Sequence, residues 1–218
     1  IGDPIPWLFE WPAMLGPIEL LGINADGVGV INIAPEIDGV VRRMPTIMRV
    51  GEETYPAMAV ETIRVAMGAP SYQIKADDTG VVAVRVPGYP IINTDEYGRI
   101  WLRYNNEFET VSVTEDLSPV AGKTVVLGLT IEGVGSTIAT PKGTQYAHMP
   151  IAISLQSVFN GDNPTRTSMA DFYELAFLVG IGLLLIIGAR FTPYWAIAGT
   201  MVVVTAGTVY GATYVYST

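Results

Sequence analysis

The sequence predicts an α/β or α+β domain, built on a mixed β-sheet with flanking helices and followed by a transmembrane helical hairpin. Two observations predict it. Stretches that favour strands alternate with stretches that favour helices through the first part of the 218-residue chain. Nearly all of the charge also lies in that part, since only Glu174 and Arg190 are charged after residue 171. We therefore expect a folded domain over residues 1–171 and a membrane hairpin over residues 172–218.

The domain begins with an apolar stretch, residues 1–23, that four prolines interrupt. Such a stretch is typical of an extended lead-in that covers apolar surface. Five later segments are rich in β-branched residues and are expected to form strands: Val28–Ile33, Val40–Val50, Val81–Val86, Arg99–Tyr104 and Thr124–Ile131. The last of them is apolar throughout, which is typical of a central strand covered on both faces.

Two segments of the domain favour helices. The first begins at Pro56 and ends at Gly68, and its apolar residues between 57 and 67 share one face. The second begins at His148 and stops at Gly161, because glycine commonly ends a helix.

Residues 172–189 and 194–216 are expected to form the two membrane helices. As helices they would extend roughly 27 Å and roughly 34 Å, which matches the apolar thickness of a bilayer. The link between them is short, so they form a tight hairpin. The alternative is a buried helical hairpin of a soluble protein, although helices that are apolar on all faces suit lipid better.

Arg190 lies at the tip of the hairpin. Cytoplasmic loops carry an excess of Lys and Arg, so this arginine places the tip in the cytoplasm. Residues 1–171 then lie on the outer side, an orientation that Arg166 weakly opposes. Gly207 and Gly211 form a GxxxG pair that lets another helix approach closely. That helix is either the other half of the hairpin or part of another subunit.

Residues that usually carry catalysis or bind cofactors are scarce. The chain has no cysteine and a single histidine, His148, which excludes thiolate and multi-histidine metal sites. Ala121–Thr124 contains the lysine and threonine of a phosphate-binding loop, but Leu117 stands where that motif needs a glycine. We therefore expect no catalysis, no metal and no cofactor.

Arg42 and Arg43 are the strongest candidates for a functional site. They follow a turn that contains Glu36 and Asp38. Neighbouring side chains of a strand point to opposite faces, so one arginine can face solvent while the other reaches inward. Glu36 or Asp38 is the expected partner, because a guanidinium donates several hydrogen bonds at once. The pair is either a structural clamp that fixes the turn to the sheet or a contact for an anion or another ligand.

Four stretches occur in order between residues 24 and 161: GVGVINIAPEIDGVVRRMP, GEETYPAMAVETIRVAMGAP, LSPVAGKTVVLGLTIEGVGSTIATPKG and MPIAISLQSVFNG. In this order they resemble the second class of CHASE domains, which are extracytoplasmic sensor domains of bacterial receptors. The first stretch carries the part of the family motif that includes Asp38, Gly39, Arg42, Arg43 and Pro45. The resemblance implies no defined ligand.

The family usually has a longer N-terminal half, and its domain usually continues through three membrane helices into a cyclase, a histidine kinase or a protein kinase. This sequence starts with Ile1 and predicts two membrane helices. We therefore expect that it begins inside a longer precursor.

Two functions remain open at this point. The first is a non-catalytic accessory or scaffold subunit of a larger bacterial membrane complex, for example an electron-transfer or photosynthetic assembly. Its hairpin would contact other membrane subunits and lipid in the inner membrane, and its domain would lie in the periplasm. The formal charge of −9 argues against a nucleic-acid partner and permits attraction to a basic soluble protein. The alternative is a truncated sensory input module of a transmembrane receptor with an adenylate cyclase or kinase output.

Overall fold

The structure is a computed structural model that describes residues 2–105, 108–161, 170–189 and 193–217. The chain divides into two compact units, Ile1–Thr165 and Arg166–Thr218. The described strands are β1 (Glu10–Trp11), β2 (Arg43–Pro45), β3 (Ile47–Val50), β4 (Glu53–Pro56), β5 (Gln73–Asp77), β6 (Gly80–Arg85), β7 (Ile92–Asn93), β8 (Arg99–Trp101), β9 (Thr137–Thr140) and β10 (Gly143–Tyr146). The described helices are α1 (Glu19–Gly22), α2 (Met58–Ala66), α3 (His148–Asn160), α4 (Ala170–Ala189) and α5 (Tyr194–Ser217), with 3₁₀ turns at Ile5–Trp7 and Ser118–Val120.

The first unit is a mixed α+β fold with several small sheets instead of one large sheet. Among the described residues, β1, β3 and β4 form one sheet, β5, β6 and β7 a second, and the pairs β2–β8 and β9–β10 two more. The pairings are antiparallel except that of β1 with β3, which is parallel. The sequence predicts an α/β or an α+β fold, and the structure has the α+β fold.

The predicted strand Val40–Val50 divides into two because the chain changes sheet at Thr46. Thr46 is buried, and both its backbone N–H and its hydroxyl donate to the carbonyl of Gly98, at 2.9 Å and 2.6 Å. Its own carbonyl accepts from the N–H of Ala57 at 2.8 Å. Residues before Thr46 therefore pair with β8, and residues after it pair with β4.

The core of the first unit lies between the sheets and the two helices α2 and α3, which contact each other. Its most deeply buried side chains come from all of these elements, for example Ile47, Ile63, Val84, Ile100 and Ile153. The fold therefore buries its apolar residues without a single large sheet beneath them.

The helix α2 begins two residues later than the sequence predicts, because Pro56 ends β4 and pairs with Ile47. The helix α3 ends before Gly161, which adopts the left-handed conformation with φ of +65° that glycine accommodates easily. Met67, expected on the buried face of the first helix, follows α2 and is exposed.

Two predicted strands are not formed. Val28–Ile33 makes only the isolated parallel bridge of Val30 with Ala57 among the described residues. Thr124–Ile131 lies in no described strand, and most of its side chains are exposed. The expected central strand is wrong because this segment pairs with no strand that the structure describes.

The lead-in over residues 1–23 is only partly extended. It contains the turn at Ile5–Trp7, the strand β1 and the single helical turn α1. Leu8 is buried and Trp7 packs against the core, while Leu15 and Ile18 remain exposed. The segment therefore covers part of the core with its first half.

The second unit consists of α4 and α5, which contact each other. Their bounds are close to those of the two expected membrane helices. Within the described ranges, however, neither these nor any other helix meets the length and hydropathy that a membrane crossing needs. The expected transmembrane hairpin is thus unconfirmed, and Arg190 lies outside the described residues.

Gly207 and Gly211 both lie on α5. A Cβ added to Gly207 would have no heavy atom of the described residues within 4 Å. The helix contact at the GxxxG pair therefore stays a prediction.

Candidate functional site

The candidate site is built on the acidic turn that precedes β2. The N–H of Gly39 donates to the carbonyl of Glu36 at 2.8 Å, and the N–H of Glu36 donates to the carbonyl of Val40 at 3.1 Å. Gly39 adopts a φ of +78°, which is unfavourable for residues with a side chain. The Asp38 carboxylate accepts from the N–H of Val40 at 3.0 Å. The turn therefore holds both acidic side chains next to the start of β2.

Arg42 is the outer member of the arginine pair. Its Nη1 and Nη2 atoms donate to the two carboxylate oxygens of Asp38 at 3.0 Å and 2.8 Å. Both side chains are exposed. An ion pair of this kind contributes little to stability, because water competes for both charges.

Arg43 is the inner member, and its side chain is only 19% exposed. Its Nε and Nη2 atoms donate to the two carboxylate oxygens of Glu36 at 2.6 Å and 2.8 Å. Its Nη1 atom donates to Oδ2 of Asp95 at 3.0 Å. Its guanidinium carbon also lies 4.9 Å from the centre of the Trp101 ring, within the range of a cation–π contact.

Asp95 joins the cluster from the turn before β8. Its Oδ2 also accepts from Nε of Arg99 at 2.9 Å, and its Oδ1 accepts from the N–H groups of Tyr97 and Arg99 at 3.0 Å and 2.9 Å. The pairing of β2 with β8 brings this turn beside Arg43, since Arg43 stands opposite Trp101. Sequence reasoning missed Asp95 and Arg99, because they lie more than fifty residues along the chain.

The hydrogen bonds of the cluster shift its acid–base equilibria. The bidentate hydrogen bonds from Arg43 hold the pKa of Glu36 below its ordinary value, although partial burial opposes the shift. Hydrogen bonds from Arg42 likewise lower the pKa of Asp38. The same contacts raise the pKa of both arginines, so all four groups stay ionised at neutral pH.

A buried hydroxyl fixes the strand that carries the two arginines. The hydroxyl of Tyr104 donates to the carbonyl of Val41 at 2.7 Å, and burial raises the pKa of Tyr104 to about 12. The N–H of Leu102 donates to the carbonyl of Arg42 at 2.9 Å. The segment that follows β8 therefore holds the backbone at Val41 and Arg42, just before β2.

The contacts of the cluster suit a clamp better than an anion site. Three carboxylates, those of Glu36, Asp38 and Asp95, face three guanidinium groups, so the cluster carries no net charge. Nε, Nη1 and Nη2 of Arg43 each already donate a hydrogen bond. An incoming anion would have to displace a carboxylate, and the clamp therefore stays our prediction for this pair.

A second feature of the first unit is an apolar groove of about 630 Å³ between the lead-in and β3. Its lining includes Trp11, Met14, Leu21, Met48 and Met58, and none of the described residues that line it is titratable. Polar groups that fix the orientation of a ligand are thus few. The groove offers apolar contact area without the specificity that convergent polar groups give.

A further ion pair, outside the arginine cluster, ties α2 to the chain around it. The buried carboxylate of Glu61 accepts from Nε and Nη2 of Arg64, both at 2.8 Å. Arg64 also donates to the carbonyls of Ala69 and Asp26, at 2.8 Å and 3.2 Å. The donors of this arginine are thus bound to α2, to the loop after it and to the loop that follows α1.

Metal ligands do not converge anywhere in the parts of the chain that the structure describes, where no group of three or more His, Cys, Asp or Glu side chains could hold an ion. His148 begins α3 and stacks on the ring of Tyr146, with 5.9 Å between the ring centres. The histidine thus makes an aromatic packing contact.

The model of the CHASE2 domain family matches residues 8–189 of the chain. The match confirms the resemblance drawn from residues 24–161, and it extends that resemblance to most of the lead-in and to α4. No curated protein and no solved structure matches the chain. Because the match covers well over half of the sequence, the chain belongs to the CHASE2 domain family, whose members are sensory domains on the extracytoplasmic side of the membrane.

Proposed function

We propose that this chain is the sensory input module of a bacterial transmembrane receptor. The α+β unit is the extracytoplasmic sensor, and α4 and α5 anchor it in the inner membrane. The match of the CHASE2 family to residues 8–189 is the observation that carries this proposal, because it includes both the α+β unit and α4. The output in such a receptor is an adenylate cyclase or a kinase on the cytoplasmic side.

The accessory-subunit interpretation has weaker support. The family match points to sensing, and it names no membrane complex and no basic soluble partner. The sensory role also requires no catalytic residue in this chain. Of the two functions that the sequence left open, the family match therefore leads us to prefer the sensory input module.

Membrane topology tests the anchoring part of the proposal. Because the chain has no cysteine, single-cysteine variants report position without background labelling. We expect Ile37→Cys, at a fully exposed position of the acidic turn, to react with a membrane-impermeant maleimide on intact spheroplasts. Arg190→Cys, at the expected cytoplasmic tip, should react only after lysis.

The cysteine-free parent and a lysed sample are the matched controls. Labelling of Ile37→Cys only after lysis would contradict the extracytoplasmic placement. Recovery of the chain away from the membrane fraction would contradict the anchoring by α4 and α5.

The reading frame after the codon for Thr218 distinguishes the two functions. The sensory role predicts that the frame continues into a further membrane helix and a cyclase or kinase domain. A stop codon at that point, together with co-purification with a large complex in mild detergent, would favour the accessory subunit instead.

A further inference from the structure

The segment Thr124–Ile131 has the composition of a strand but lacks a strand partner in the structure. No backbone N–H between these two residues donates to another described residue. The segment contains no charge and no proline, and most of its residues are apolar or β-branched. We call Thr124–Ile131 the unpaired segment.

Two residues of the unpaired segment, Val126 and Gly128, face the domain, and the backbone carbonyl of a third contacts it. Val126 packs against the core. Gly128 lies against the ring of His148, where an added Cβ would overlap the ring. The carbonyl of Thr130 accepts from the hydroxyl of Tyr146 at 2.7 Å. These contacts fix the segment on the surface without using its backbone N–H groups.

The remaining positions of the unpaired segment form an exposed apolar row. Val125, Leu127, Leu129 and Ile131 are all exposed, and Leu127 retains 82% of its accessible surface. An extended edge with free N–H groups and apolar side chains is a template for strand pairing, and natural proteins usually protect such edges with charge or proline. Here neither protection lies within the segment.

We propose that the unpaired segments of two copies of this chain pair as antiparallel strands about a two-fold axis at Gly128. A two-fold axis between antiparallel strands is perpendicular to the sheet, so paired residues must lie on the same face. The axis at Gly128 places Leu127 opposite Leu129 and Val125 opposite Ile131. All four exposed apolar residues of each copy then have an apolar partner.

The charges that flank the unpaired segment favour the same arrangement. Lys123 precedes the segment and Glu132 follows it. Antiparallel pairing brings the lysine of one copy to the same end of the ribbon as the glutamate of the other, whereas parallel pairing would bring like charges together. Lys123 now forms an exposed ion pair with Glu109 at 2.8 Å, which water screens and a new partner can replace.

A second copy is favoured over an unrelated partner because the segment is complementary to itself both in its apolar row and in the charges that flank it. The chain as a whole carries a charge of −9, so two copies repel each other over most of their surface. The uncharged segment is a place where they can meet without that repulsion. This pairing does not require the sensory role.

Disulfide trapping of the full chain in mild detergent tests the register. Leu127→Cys and Leu129→Cys are prepared separately, and each is oxidised alone and as an equal mixture. Opposite residues have Cβ atoms about 4.5–5.5 Å apart, close to disulfide geometry, while diagonal neighbours are about 7–8 Å apart. We expect several-fold more cross-linked dimer in the mixture than in either variant alone.

Ile37→Cys is the matched control, because Ile37 is also a fully exposed apolar residue but lies outside the unpaired segment. Equal cross-linking in the mixture, in the separate variants and in this control would mean random collision and would overturn the proposed register.

Sedimentation of the cysteine-free parent tests the dimer independently of any variant. We expect a dimer whose dissociation constant rises at least tenfold in Leu127→Lys and changes little in Ile37→Lys. A monomeric parent would refute the proposal. A monomer in which the amides of the unpaired segment are protected from hydrogen exchange would show that another part of the same polypeptide pairs with them.

Discussion

Truncation of Arg43 is the most direct test of the clamp. In Arg43→Ala, Glu36 loses both of its arginine hydrogen bonds and Asp95 loses one. Removing one partner of a buried ion pair costs roughly 3–5 kcal/mol. The loss is smaller here, because Glu36 retains some contact with water and Asp95 keeps Arg99 and two backbone N–H donors. We therefore expect the free energy of unfolding to fall by about 2–3 kcal/mol.

Urea unfolding of the full chain in mild detergent measures this loss, with tryptophan fluorescence as the signal, since Trp101 lies beneath Arg43. With a urea dependence of about 1–3 kcal/mol per M, the midpoint should fall by about 1 M. Arg42→Ala is the matched control, because it removes a neighbouring arginine whose ion pair is exposed. We expect a clearly smaller shift for this control. Equal midpoints for both variants and the parent would refute the clamp.

Three further outcomes follow from the same structure. The pKa of Glu36 is lowered in the folded state. The stability that its ion pair adds is therefore present above the ordinary glutamate pKa and is lost as pH falls through the lower folded pKa. In urea titrations at acid pH, we expect the difference in stability between the parent and Arg43→Ala to shrink. Thr46→Val removes the buried hydroxyl that donates to Gly98 and should cost about 1 kcal/mol in the same assay, with Thr46→Ser retaining most of the stability. In Gly39→Ala the new methyl group has open space around it, but the residue must adopt a φ of +78°. We expect the free energy of unfolding to fall by about 1 kcal/mol. An unchanged urea midpoint would contradict a strained turn.

The local features of the fold were predictable from the sequence. The turn at Asp38-Gly39 forms because glycine accepts a positive φ, and α3 ends at Gly161 for the same reason. The start of α2 was misplaced, because Pro56 is acceptable both at the end of a strand and in the first turn of a helix. A local pattern does not choose between these two uses.

The pairing of strands was not predictable in the same way. Composition shows that Thr124–Ile131 favours an extended conformation, but it does not show whether a neighbouring strand exists. The short strands β9 and β10 are the opposite case, because they pair although their composition does not indicate strands. They contain polar residues such as Thr140 and Gln145, and their pairing depends on the tight turn between them, not on an apolar pattern. Several small sheets therefore resulted where one mixed sheet was expected.

In the arginine cluster, too, the local contact was predictable from the sequence and the long-range contact was not. Glu36 precedes Arg43 by seven residues, so the sequence indicated it as a partner; Asp95 follows Arg43 by 52 residues. Asp95 reaches Arg43 only because β2 and β8 pair, and strands of three residues carry too little pattern to set their register from sequence. This long-range contact matters for the role of the cluster, because it joins the acidic turn to a second turn that is distant in sequence. A clamp that connects two turns stabilises the tertiary fold, whereas an arginine that bonded only Glu36 would stabilise one turn alone.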